Sequence, residues 1–353
     1  MPELLPFLKE LSSASGLSGY ETPAANIIAE RWRPLVDQLG TSRLGSLHGL
    51  KRGHGPAPRP SLLVATHMDA IGLMVTSQVD GFLHITGIGG VDGRVLPGAR
   101  VTVHGRRDLP GVVAQPSARL LPPEVGANDA VPLEHLLVDT GLPARTLAGL
   151  VRVGDLVSFA NPPAELSGGT LAGHSLDNRA SVAALTVCLE ELQTRPLQWD
   201  VAAVATVQEE TGLIGAATSA FQLQPALALV VDVTWAKGPG ASDWNTLPLD
   251  KGPSLLMGPN IHPALYQAVR AVADRLELPY SLEYTSGNSG TDAVAVQATA
   301  EGIPTLVLGI PLRYMHTPVE LVSLRDIQRA GRLMAEFLSG LAPDFLDQIT
   351  WDD

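Results

Sequence analysis

Only one cysteine, Cys188, occurs in 353 residues. A single thiol excludes an intrachain disulfide framework and fits a reducing compartment. It falls in an apolar helical run, where a buried inert thiol is expected rather than a nucleophile. There is no Gly-x-Ser-x-Gly elbow, no phosphate-cradling glycine loop and no Cys-x-x-Cys pair, which removes the commonest serine, nucleotide and redox chemistries. Basic residues are few: 24 Lys and Arg stand against 36 Asp and Glu, a formal net charge of -12. That balance argues against nucleic acid or an anionic membrane as a partner. Long hydrophobic runs are missing too. The longest uncharged stretch, 211–231, contains Thr218, Ser219, Gln222, Gln224 and Pro225 and reads as helix, turn and strand, not as a membrane span. The opening Met1-Pro2-Glu3 lacks the basic start of a secretion signal, so a cytoplasmic location is expected.

What is present is a long chain with 45% hydrophobic residues, enough for a sizeable core and, by length, for two domains. Helical spacing marks 4–11 and 22–32, with Thr22 as a possible cap and Pro23 in the first turn. The apolar run 61–66 reads as a buried strand. From Gly72 to about Pro163 the character changes to short β-like runs (73–76, 82–85, 100–103, 111–113, 156–160) separated by Gly and Pro, the pattern of a small β module. Beyond Gly168 helices and strands alternate: helix 180–192, strand 201–207, helix 213–221, strand 226–231, helix 263–276, strand 305–308 and helix 324–341. Alternation of this kind predicts an α/β sheet covered on both faces, with the β module inserted into it.

The chemistry gathers at the ends of these strands. Glu209 and Glu210 follow strand 201–207, and paired acids are costly to hold together without positive charge beside them. His67 follows strand 61–66 with Asp69 two residues on, a candidate to orient the imidazole or equally to serve a simple hydrogen bond in the turn. Asp177 precedes a helix; capping alone would explain it, but a carboxylate bridging two cations explains more. Asp232 ends strand 226–231, and His316 lies in a loop after strand 305–308. One His, one Asp, a Glu pair, another Asp and another His make the ligand inventory of a two-metal hydrolase. In such a site one glutamate binds metal and the other moves a proton between water and the leaving amine. Gly212 and Gly215 let the following helix pack close. His48 and His54, beside a glycine-rich loop, are expected in solvent, and His174 at the surface or in the core.

These motifs resemble the tetrahedral, glutamyl-aminopeptidase-like family of cytosolic dinuclear metallopeptidases. The resemblance covers nearly the whole chain and rests on 67–72 (HMDAIG), 87–90 (GIGG), 96–98 (LPG), 176–179 (LDNR), 208–212 (QEETG), 232–234 (DVT), 289–293 (SGTDA) and 316–318 (HTP). It implies a zinc-peptidase-like α/β sandwich with a mixed sheet over 1–70 and 165–353, and an inserted β-barrel-like domain over 71–164 that serves dimerisation or oligomerisation. It implies His67, Asp177 and Asp232 on one metal and Asp177, Glu210 and His316 on the other, with Glu209 as general base and a cis peptide after Asp177. Two divalent ions per subunit are implied, zinc or cobalt, with manganese as an alternative. The substrates would be short peptides shortened from the N-terminus, with Thr291 and Asp292 beside the substrate and dimers assembled into a dodecamer. Lys237 stands where an acid is common in the family, and a solvated position is expected for it. Rival readings are a related carboxypeptidase or deacylase, or a non-catalytic metal-binding scaffold. Endoglucanase activity is disfavoured, because glycoside hydrolysis uses a carboxyl pair without metals, leaving His67, Asp232 and His316 idle.

Overall fold

Four apolar strands, Asp200–Thr206, Ser61–His67, Leu227–Trp235 and Thr305–Arg313, lie parallel in that spatial order at the middle of a mixed sheet. Almost every residue along them is buried, so both faces are covered, as parallel sheets require. The computed structural model describes residues 3–122, 125, 130–241 and 244–349. Antiparallel strands extend the sheet: Leu47–Lys51 and Gln38–Thr41 beyond Asp200–Thr206, and Glu320–Ser323, Thr170–Gly173 and Ala164–Leu166 on the other side. Ser254–Met257 and Ser281–Tyr284 branch from Thr305–Arg313. Helix Leu176–Glu191 packs on the sheet and against helix Leu324–Gly340. Their close crossing depends on Gly331, where a Cβ would stand 2.6 Å from the Ala184 carbonyl oxygen.

After Ala70 the chain leaves the sheet and builds a closed six-stranded barrel in the order Gly72–Val79, Phe82–Ile88, Leu137–Asp139, Asp108–Ala114, Arg100–His104 and Leu156–Phe159. Closure removes the unpaired edges that so small a sheet would otherwise present. The barrel has a hydrophobic core of its own, including Leu73, Leu83, Val101, Val103, Val138 and Val157, separate from the core of the large sheet.

Several expectations need correction. The Asp232 strand runs to Trp235, so Asp232 lies inside it rather than at its end. Its pairing with the His67 strand stops at Val230↔Ala65, which leaves that side of Asp232 open toward the site. The Thr305 strand continues through Gly309 and Pro311 to Arg313, two residue types that normally end strands, because it stays paired with the Asp232 strand as far as Trp235↔Leu312. Thr22 begins its helix and does not cap it; Glu21 holds the cap position, and its carboxylate accepts the Gly19 and Gln208 N–H groups instead. His48 is not solvated: it sits half-buried in Leu47–Lys51, 2.9 Å from the Ser219 hydroxyl. Cys188 is buried, and burial pushes its thiol far up. Among the described residues no helix is long and apolar enough to cross a membrane.

Candidate metal centre

Parallel sheets place functional side chains at the carboxyl ends of their strands, where the order of connection reverses. Here His67 is the last residue of the central strand. Glu209 and Glu210 occupy the turn after Asp200–Thr206, which Gln208 enters with φ 56°. The following helix, Ile214–Leu223, presses on that turn at Gly215, where any Cβ would collide with the Val207 backbone. Asp177 stands at the start of Leu176–Glu191, where Asp177 and Asn178 are non-helical and joined by a cis peptide. His316 follows Thr305–Arg313 in a turn, with φ 63°.

These residues converge. Asp177 Oδ1 lies 3.1 Å from His67 Nε2, and its Oδ2 lies 3.5 Å from His316 Nε2. Asp232 Oδ1 is 3.6 Å from His67 Nε2, and Glu210 Oε2 is 3.6 Å from His316 Nε2. Glu209 Oε2 is farther from His67 Nε2, at 3.9 Å. Two sets of donor atoms lie within 4.8 Å of one another: His67, Glu209 and Asp232, and His67, Asp177 and Glu210. Donors bonded at about 2.0–2.2 Å to one tetrahedral ion stand roughly 3.3–3.6 Å apart, so the 3.5 and 3.6 Å separations are those of coordination edges, the 3.1 Å contact is slightly shorter and the 3.9 Å contact of Glu209 longer.

The electrostatics agree. Burial, reinforced by neighbouring carboxylates, pushes Glu209 up to about 9, and raises Glu210 and Asp232 as well. Burial also opposes charge on His67, but Glu209, Asp177 and Asp232 hold it protonated well above the ordinary histidine range. Five carboxyls, Asp69, Asp177, Glu209, Glu210 and Asp232, face two imidazoles, more acid than the histidines can hold ionised, and cations beside them would restore the carboxylate form. Divalent cations are what such a donor set fits.

Two carboxylates hold this arrangement from behind. Asp69, fully buried, lies 3.4 Å from His67 Nδ1 and accepts the Glu209 and Glu210 N–H groups at 3.0 and 3.2 Å. Burial alone would raise Asp69, but His67 and the Glu209 N–H hold it below the usual range. Glu320, which the sequence reading passed over, accepts the Asp177 N–H at 3.0 Å and the His316 N–H at 3.1 Å, tying two loops together. The only sequence signal for it is a lone acid opening the buried run Glu320–Ser323. Glu320→Gln sets an amide donor against one of those N–H groups and is expected to weaken metal affinity or turnover roughly 10- to 100-fold. Chelator-competition titration checks this; a lowered melting temperature at unchanged metal affinity would reduce Glu320 to a structural role.

The M42 glutamyl aminopeptidase profile matches residues 45–333. The chain belongs to the M42 glutamyl aminopeptidase family. Over 95% of this chain it is 33% identical to lysyl aminopeptidase of Pyrococcus furiosus, covering 97% of that protein. An aminopeptidase structure from the archaeon Desulfurococcus kamchatkensis superposes with a TM-score of 0.90 at 33% identity, covering 99% of this chain and 98% of that one. The Pyrococcus horikoshii TET1 peptidase, described as assembling into a tetrahedron or a large octahedral shell, superposes with a TM-score of 0.82 at 28% identity, over 96% of this chain and 100% of that one. In this M42 chain the centre opens into a cavity of about 590 Å³. Thr291 lines it; Asp292 does not. Asp292 is buried beneath, accepts the Thr206 hydroxyl at 2.5 Å, and is pushed up to about 7 by burial. Arg179 is fully buried and donates to the Leu11 and Ala14 carbonyls, away from the cavity. Lys237 is exposed. His174 is buried edge-on to Phe159, and burial lowers it to about 3. The barrel reaches the centre through Gly90, where a Cβ would stand 2.6 Å from His316 Nδ1.

Proposed function

We propose that this M42 chain is a dinuclear metal-dependent aminopeptidase that removes N-terminal residues from short peptides. His67, Asp177 and Asp232 would hold one ion and Asp177, Glu210 and His316 the other, with Asp177 shared. Two oxygens of one carboxylate, each facing a different histidine, are the observation that carries this reading. Divalent ions held there supply Lewis acidity, which polarises a carbonyl and eases deprotonation of water. Glu209 Oε2 then takes the proton of the attacking water and delivers it to the nitrogen of the departing amine. Asp69 keeps Glu209 and Glu210 in place through their backbone, and Glu320 does the same for Asp177 and His316.

We infer from the TET relative that copies of this chain assemble through an interface that includes the barrel, with dimers building a dodecamer. The named relatives include both lysyl and glutamyl aminopeptidases, so membership alone leaves the preferred N-terminal residue open. The reading is tested by stripping the protein with a chelator and refilling it with zinc, cobalt or manganese. Two equivalents per chain and renewed release of p-nitroaniline from aminoacyl-p-nitroanilides are expected, with no cleavage once the amino group is acetylated. Metal binding without turnover of any aminoacyl substrate would refute the aminopeptidase assignment.

A further inference from the structure

One carboxylate in the cavity has no part in the chemistry above. Glu283, on the outer strand Ser281–Tyr284, lines the same cavity as the metal centre. Its Oε1 accepts the Thr234 hydroxyl at 2.6 Å and its Oε2 the Ser254 hydroxyl at 2.5 Å. Two hydroxyls thus fix its orientation, yet no lysine or arginine pairs with it among the described residues. No lysine or arginine stands among the described residues that line the cavity.

The placement has a length built into it. Thr234 is two residues beyond Asp232 on one strand, so both point to the same face, roughly 6.6 Å apart along the chain. A substrate α-amine, two bonds from the carbonyl under attack, belongs beside Asp232 and Glu209. The Glu283 carboxylate meets Thr234 on that strand and lies against Gly309, the register partner of Asp232 on the next strand, a reach of roughly one strand repeat or strand spacing from Asp232 that an extended lysine or arginine side chain covers. The cavity lining also includes Leu256, Val294 and Val307, which suit an aliphatic stem with a charged tip. Gly309, the register partner of Asp232, keeps the acid uncovered: a Cβ there would stand 2.8 Å from Thr234 Cγ2 and 3.0 Å from Glu283 Oε2.

The geometry points to Glu283 as the residue that selects peptides beginning with lysine or arginine. This rests on the aminopeptidase reading and adds the substrate class to it. A basic side chain gains a charge-assisted hydrogen bond to an acid already oriented for it. An acidic side chain would meet Glu283 with no lysine or arginine beside it, among the described residues, to answer its charge.

The experiment compares lysyl-, arginyl-, norleucyl- and glutamyl-p-nitroanilide on the metal-loaded full chain and on Glu283→Gln and Glu283→Lys. Norleucine keeps the stem of lysine without its ammonium, so the lysyl-to-norleucyl ratio of kcat/KM isolates the charge. That ratio is expected to fall roughly 10- to 100-fold in Glu283→Gln, the worth of a hydrogen bond to a charged group, while norleucyl turnover changes less than about threefold. Glu283→Lys should lose lysyl and arginyl turnover and gain glutamyl turnover, which loss of folding cannot do. An unchanged lysyl-to-norleucyl ratio in Glu283→Gln overturns the assignment while leaving the aminopeptidase intact. A wild-type protein that cleaves none of the four would overturn both.

Discussion

Glu209→Gln is expected to lower kcat by roughly 10²- to 10⁴-fold with two metal equivalents retained, because it removes proton transfer and nothing else. The geometry separates Glu209 from the residues that would bind metal. Its Oε2 is 3.9 Å from His67 Nε2, whereas Asp177 and Asp232 stand at 3.1 and 3.6 Å from the same nitrogen. Distance alone groups Glu209 with His67 and Asp232 as a possible ligand set. The longer separation exceeds a tetrahedral edge, so the base is the better role for it. The substitution keeps the turn, since Asp69 grips Glu209 and Glu210 by their backbone N–H groups. Glu210→Gln is the contrast: Glu210 Oε2 faces His316 Nε2 at 3.6 Å, and this variant should lose metal. Elemental analysis beside steady-state kinetics checks both. A Glu209→Gln enzyme with kcat within tenfold of wild type would place the base elsewhere.

The central strands were legible because nothing charged interrupts them: 61–66, 201–207 and 226–231 are mainly apolar runs that end at the chemistry. Edge strands were not. Leu47–Lys51 carries Gly49 and His48, and it is a strand because Asp200–Thr206 lies beside it. An acid after an apolar run reads as the end of a strand, so Asp232 was placed at a terminus; only the lost pairing with the His67 strand explains how it stays both in a strand and in the site. The proposed ligands announced themselves as acids or histidines next to strand ends. Glu320 and Glu283 did not, since each acts on groups far along the chain: Glu320 on the backbone of Asp177, Glu283 on the hydroxyls of Thr234 and Ser254. Likewise His48 sits beside glycines in sequence, but Ser219, 171 residues later, decides its surroundings.

Asp177→Asn is expected to act with opposite signs on activity and on the stability of the stripped protein. Asparagine offers one carbonyl oxygen where the carboxylate offers two, so at most one histidine keeps its partner. Stoichiometry should fall below two, and turnover should fall by more than the 10- to 100-fold typical of an outer partner. Without cations the same charge is a liability. Burial first, and Asp177 among the neighbouring charges, raises Glu209, Glu210, Asp232 and Glu320. A carboxyl whose folded value exceeds its unfolded one holds its proton more tightly in the native protein, so raising the pH through that interval removes stability. For Glu209 the interval runs from the ordinary 4.5 to about 9. The stripped wild-type protein should therefore melt at progressively lower temperature as pH rises across it, and stripped Asp177→Asn should melt higher, with the gap widening toward the alkaline end. Refilling with metal should reverse the order, because binding at 100 times Kd stabilises by about 2.7 kcal/mol per site and the variant has lost that linkage. Calorimetric scans of both proteins, stripped and refilled, across this pH range separate the two effects. Parallel melting curves for the two stripped proteins would mean that Asp177 does not load the cluster with charge, and the argument for cations in this cavity would fall with it.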